Sequence, residues 1–130
     1  MTFASHPPLR RIPAPPERPL RDGPHRFVDP ARGDDGGNGS ENAPWATINA
    51  ALERLEPGDT LCLREGLYRE NVYCARTGSK DAPITLRSYP GETAIIDGSL
   101  AQFQEDPAGA WEPTEEPGEF RSAETYRNIR

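Results

Sequence analysis

The apolar residues in the middle of the chain return at a fixed interval. Leu61 and Leu63 recur as Ile84 and Leu86, and Val72 recurs as Ile95, each pair 23 residues apart (84−61, 86−63, 95−72). The anchors at 61, 72, 84 and 95 are therefore separated by 11, 12 and 11 residues. A period in the twenties is the mark of a solenoid, whose rungs stack and share one core. Within each rung the pattern is that of short strands. Thr60-Leu61-Cys62-Leu63 alternates, which puts Leu61 and Leu63 on the inward face and Cys62 on the outward one. Gly66 interrupts this strand before Leu67-Tyr68, and Asn71-Val72-Tyr73-Cys74 reads as the next, with Asn71 a candidate for a polar ladder at a rung corner. Pro57-Gly58-Asp59, the polar stretch 77–82 and Pro90-Gly91 supply turns, while Pro83 opens a strand where no ladder donor is lost. The prediction is a mainly β chain whose strands form the coils of a parallel β-helix.

A different period precedes the rungs. Ile48, Ala51, Leu52 and Leu55 stand at i, i+3, i+4 and i+7, one apolar stripe of a helix. Thr47 is placed to cap its start, or Pro44 to mark its first turn; Glu53 and Arg54 face outward, and Pro57-Gly58 ends it. Such a helix, just ahead of the first rung, is expected to close the open end of the β-helix. Strand edges and aliphatic side chains would otherwise meet water there.

These elements carry a resemblance. Phe27-Val28-Asp29-Pro30, the Gly-rich loop 33–40, Ala43-Pro44-Trp45-Ala46-Thr47-Ile48, Pro57-Gly58-Asp59-Thr60-Leu61 and Arg64-Glu65-Gly66-Leu67-Tyr68-Arg69-Glu70-Asn71-Val72 follow one another in order. Ala82-Pro83-Ile84-Thr85-Leu86, Tyr89-Pro90-Gly91-Glu92 and Ile96-Asp97-Gly98-Ser99 complete the series. Over residues 27–99 the chain resembles the N-terminal start of right-handed parallel β-helix proteins of the pectate-lyase-like superfamily. That superfamily includes lyases of pectin, alginate and chondroitin-type uronates. The resemblance implies a right-handed parallel β-helix start with an N-terminal α-helical cap. It does not by itself imply an activity, because many chemistries and non-catalytic roles share the scaffold.

The domain reading follows. Residues 1–26 are expected to be a disordered Pro-rich leader, 27–57 an N-terminal strand, Gly-rich loop and capping helix, 58–99 the first β-helix rungs, and 100–130 an irregular, incomplete extension. The leader holds seven prolines (Pro7, Pro8, Pro13, Pro15, Pro16, Pro19, Pro24) without an apolar period. Its arginines (Arg10, Arg11, Arg18, Arg21, Arg26) have no apolar run beside them, so it reads as neither signal peptide nor membrane anchor. A net charge of −6 argues against nucleic acid or acidic lipid as partner. Beyond Ser99 the aromatic and apolar residues Phe103, Trp111, Phe120, Tyr126 and Ile129 are widely spaced, and Trp111 and Phe120-Arg121 fit extended strands in an excursion from the coil. Two rungs fall short of the three or more that a solenoid needs. The chain is therefore expected to be the beginning of a longer protein, or a truncated product.

Candidate chemistry is sparse. In lyases of the resembling superfamily a Lys or Arg removes the proton α to a uronate carboxyl, often beside Ca²⁺ held by acidic side chains. Those groups must converge on one strand face of consecutive rungs. Lys80, the sole lysine, lies in the 77–82 turn and reads as a solvated turn residue; Asp97 and Glu92 lie near strands but lack a partner at the matching rung position. No catalytic, cofactor-binding or metal residue is carried over, and calcium is expected only in a full-length relative. The loop Asp34-Asp35-Gly36-Gly37-Asn38-Gly39-Ser40 starts like an EF-hand. Gly36 nevertheless takes the third ligand position and Trp45 the twelfth, leaving a turn-rich loop or a generic oxygen-ligand site. Asn38-Gly39-Ser40 as a glycosylation acceptor and Arg32-Gly33-Asp34 as an adhesion tripeptide are discounted. Cys62 and Cys74 face opposite ways, against a disulfide, and with only His6 and His25 a zinc site is poorly supported. Trp45 and Tyr68 are candidates for stacking on sugars but read first as packing residues.

Three functions fit these residues. The first is a uronate-polysaccharide lyase-like protein of which this is the capping end, with the catalytic rungs elsewhere. The second is a non-catalytic glycan-binding or structural β-helix, and the third a truncated product without activity. The resemblance implies polysaccharide as partner and an extracellular or periplasmic location.

Overall fold

Three strands from distant parts of the chain run side by side in one direction. The computed structural model describes residues 14–126. In chain order the elements are β1 (His25–Val28), α1 (Ile48–Leu52), β2 (Thr60–Leu63), β3 (Gly66–Arg69), β4 (Thr85–Ser88), β5 (Ala94–Asp97), α2 (Ala101–Glu105), β6 (Trp111–Pro113) and β7 (Phe120–Ser122). Strands β1, β2 and β4 form one parallel sheet in that order, and β3 and β5 form a second parallel pair. Each pass through β2 and β3 is thus repeated by β4 and β5, the stacking expected of β-helix coils. The leader up to Pro13, with His6, Arg10 and Arg11, and Ile129 near the other end lie outside the described residues.

The register corrects the expected period. Leu61 pairs with Leu86 rather than Ile84, an offset of 25 (86−61), and Leu63 pairs with Ser88. Leu67, not Val72, pairs with Ile95, an offset of 28 (95−67). Gly66 is the cause in the second sheet: at φ +148 it turns the chain straight after β2, so β3 begins there and Val72 falls beyond it. A Cβ at Gly66 would also come within 2.6 Å of the Pro30 ring. The expected strand from Asn71 to Cys74 is absent, and Asn71 and Cys74 are exposed. Ile84 stands one residue ahead of β4 and, like Val72, packs against the margin of the core.

The core gathers Val28, Leu61, Leu63 and Tyr68 from the coils and Ile48, Ala51, Leu52 and Leu55 from the helical stripe, with Trp45 between them. All four stripe positions are buried, and Glu53 and Arg54 are exposed, as their period requires. Regular helix ends at Leu52, earlier than the apolar stripe, because the Arg54 N–H closes a tighter turn onto the Ala51 carbonyl. Thr47 is the N-cap, its side chain accepting from the Ala50 N–H at 3.2 Å. The strand ahead of the loop begins at His25, two residues into the stretch read as leader. The last part of that stretch is anchored too: the Pro24 carbonyl accepts from the Thr60 N–H at 3.0 Å.

The C-terminal extension is more regular than expected. It carries α2 and an antiparallel hairpin in which Trp111 pairs with Ser122 and Pro113 with Phe120. Phe103 of α2 lies 4.9 Å from the Trp111 ring and 5.6 Å from Tyr126, giving these scattered aromatics a common cluster.

Candidate functional site

Where the first sheet ends, its three strands deliver Asp29, Arg64 and Tyr89 to one corner. Each follows a residue of the paired row Val28, Leu63 and Ser88, and the ladder continues through Arg64 N to Val28 O (2.9 Å) and Tyr89 N to Leu63 O (2.8 Å). The Arg64 guanidinium makes a forked pair with Glu92, at 2.8 and 2.7 Å, and lies 4.5 Å over the Tyr89 ring. Glu92 also accepts from the Glu65 N–H at 2.8 Å, and the Tyr89 hydroxyl donates to Glu41 at 3.3 Å. Beneath them the buried Tyr68 hydroxyl reaches the carbonyls of Val28 and Arg64 at 3.0 and 2.8 Å.

The electrostatics of this corner are those of a clamp. The Arg64 fork holds the Glu92 carboxyl below its usual range, and the same contact raises Arg64, so the guanidinium stays charged. Burial raises Tyr68, and the Glu41 carboxylate raises Tyr89. Asp29 is buried, which favours its neutral form, yet N–H groups of Ala31 and Arg32 and the Arg32 guanidinium bring it below the ordinary value. Arg64 is ion-paired and stays protonated, which unfits it as a proton acceptor. The corner ties three coils together. The expectation that Glu92 lacks a partner is corrected by Arg64, 28 residues earlier, and Asp97 stands in register with Arg69.

The Gly-rich loop is built around Trp45. The indole N–H donates to the Gly37 carbonyl at 2.8 Å, and Gly39, at φ +73, passes so close that a Cβ would come within 2.6 Å of the ring. Its oxygens face the protein's own N–H groups: Asp34 accepts from Gly36, Asn38 from Ser40, and Asp35 from Ala46, Thr47 and the Thr47 hydroxyl. Burial opposes the charge on Asp35, but the Thr47 N–H and hydroxyl outweigh it and lower its pKa. Among the described residues no group of three His, Cys, Asp or Glu stands close enough to hold a metal ion.

The other sequence candidates separate. Lys80 lies exposed in its turn. Trp45 and Tyr68 are buried, which removes them as sugar platforms. Cys62 and Cys74 are both free thiols. Their burial reverses expectation: Cys62, on the outward row between Phe27 and Arg87, is fully buried, whereas Cys74 is exposed. Burial pushes the Cys62 thiol up.

Sequence reasoning missed the residues that dock α1. Glu70 takes the N–H groups of Ile48 and Asn49 at 2.8 and 2.9 Å, the Asn49 amide bridges Asn71 and Tyr73, and Arg76 donates to the Glu53 carbonyl at the far end. The signal was their chemistry, an acid for the helix start and a base for its end.

No family model matches the chain. It is 38% identical over 74 residues to pectate lyase PEL9 of Emericella nidulans and 34% identical over 76 residues to the uncharacterized protein YwoF of Bacillus subtilis. These matches take in 55% and 58% of this chain but only 18% and 16% of the relatives' own length. Among solved structures, XylC in complex with xylose superposes with a TM-score of 0.56 at 32% identity, over 71% of this chain and 14% of that one. Pectate lyase Pel9A superposes with a TM-score of 0.52 at 26% identity, over 62% of this chain and 22% of that one. In its parallel, stacked fold the chain is similar to β-helix proteins that include a pectate lyase and XylC. Among these it resembles the N-terminal part of the right-handed, pectate-lyase-like β-helix proteins.

Proposed function

We propose that this chain is the N-terminal segment of a β-helix protein acting on polysaccharide, specifically a uronate-polysaccharide lyase-like protein whose catalytic groups stand on further rungs. The observation that carries this reading is the 38% identity to pectate lyase PEL9 over 74 residues of this chain. Within it α1 is the lid on the first coil, burying its apolar stripe and presenting Glu53 and Arg54 to solvent. Support for further rungs comes from the last coil. Leu86 and Ile96 are 41% and 44% exposed, whereas their register partners Leu61 and Tyr68 are 0% and 2% exposed. Any calcium belongs with carboxylates on those rungs, and the protein works outside the cell or in the periplasm.

The test is a lyase assay on polygalacturonate, alginate and chondroitin with the protein extended through its following rungs, read as absorbance of the unsaturated product. Product from one of these polymers is the expected result, with none from residues 1–130 alone. A folded, extended protein that binds these polymers without cleaving any contradicts the lyase reading and leaves a glycan-binding module.

A further inference from the structure

Arg18, Arg21 and Arg87 line a single cavity of about 460 Å³ between the segment ahead of β1 and strand β4. That volume falls within the roughly 300–1,000 Å³ usual for small-molecule sites. Thr60 and Thr85 add hydroxyls, prolines 16 and 19 add apolar wall, and among the described residues no acidic side chain lines the space. None of the three arginines forms an ion pair with the described residues. Arg87 is oriented by neutral groups only: it donates to the carbonyls of Ser88 (3.0 Å), Pro19 (3.0 Å) and Arg18 (2.7 Å). A guanidinium has five N–H donors, so two remain and its charge is not cancelled.

Three uncompensated cations at one place in a chain of net charge −6 are a local exception to its field. A forked guanidinium matches the planar geometry of a carboxylate, hydroxyls suit sugar hydroxyls, and the proline wall suits the C–H face of a pyranose ring. We propose that this cavity is a subsite for the carboxylate of a uronate saccharide, anchored by Arg87 with Arg18 and Arg21 as flanking charges. The choice of sugar rests on the polysaccharide reading above; the anion preference rests on the cavity alone.

Calorimetric titration of the full chain with an oligogalacturonate, a neutral xylo-oligosaccharide of equal length and inorganic phosphate tests it. Binding of the oligogalacturonate that weakens as salt rises is expected, with far weaker binding of the other two. Arg21→Ala, whose side chain makes no hydrogen bond among the described residues, should lower that affinity about tenfold, and Arg18→Ala with Arg21→Ala further, with unchanged melting temperature. Equal binding of the neutral sugar, or unchanged affinity in the double variant, overturns the proposal. Phosphate bound as tightly as the uronate overturns its sugar half. The lyase assay reports separately: arginine-dependent uronate binding without unsaturated product keeps this subsite and removes the lyase. Lyase activity with uronate binding indifferent to the arginines does the reverse.

Discussion

Arg64 holds together residues that the chain keeps far apart, and its worth lies in that separation. Its fork to Glu92 is partly sheltered, with side chains 23% and 21% exposed, so it is screened less than a surface pair. Glu92→Gln is expected to cost about 1–2 kcal/mol in chemical denaturation at neutral pH. The sign with pH follows from the lowered carboxyls of Glu92, Asp29 and Asp35. Their stabilisation is full above the unfolded carboxylate values of about 4 and disappears as pH falls through the lower folded ones. Melting temperature should therefore drop below about pH 4, and Glu92→Gln should flatten that drop; an unaltered acid limb would contradict the clamp. Tyr68→Phe, which takes the hydroxyl donor from the Arg64 carbonyl and leaves the Val28 carbonyl only the Arg64 N–H, should cost about 1–2 kcal/mol by the same measurement. From the sequence Glu92 looked unpartnered because its partner is set by strand register, which no local pattern encodes. The burial of Trp45 and Tyr68 was anticipated, since a bulky aromatic beside an apolar stripe packs first.

At the scale of the element, α1 shows what a short helix needs. Its regular part is only five residues, too short to persist by its own hydrogen bonds, so its ends are tied by other segments. Thr47 and Glu70 take the first N–H groups, and Arg76 meets the Glu53 carbonyl. Thr47→Ala is expected to lose about 1 kcal/mol. Glu70→Ala, which strips two N–H groups of their acceptor, should lose more, together with amide-exchange protection at Ile48 and Asn49. Retained protection in Glu70→Ala would show that water replaces the carboxylate without penalty. The stripe and its Thr47 cap were legible, because helical period and capping chemistry are local; the stop was not, since regular helix ends at Leu52 and not at Pro57-Gly58. The β-strands were half legible. Alternation found β2, but the assumption of a constant repeat moved Val72 and Ile84 into ladder positions they do not hold. A glycine turn and a polar loop change the length of each coil independently of its core.

The described residues form a stack in which β2 lies between β1 and β4. Leu61 is enclosed between neighbouring coils, while its partner Leu86 is left 41% exposed on the last one. Leu61→Ala should therefore cost about 2–5 kcal/mol and Leu86→Ala about 1 kcal/mol or less in this chain. Equal penalties would mean that the last coil is covered in solution. The parallel, mainly β architecture was legible from recurrence of aliphatic residues. The anchored approach of residues 16–24 to β4 was not, because proline and arginine without a period announce no partner. Parallel pairing of β2 with β4 at a 25-residue offset is the claim on which coil, corner and cavity all depend. Backbone cross-strand NOEs in the isotope-labelled protein measure it directly. The account predicts contacts joining Leu61 to Leu86 and Leu63 to Ser88; contacts joining Leu61 to Ile84, or the close Hα–Hα pairs of an antiparallel ladder, would contradict it.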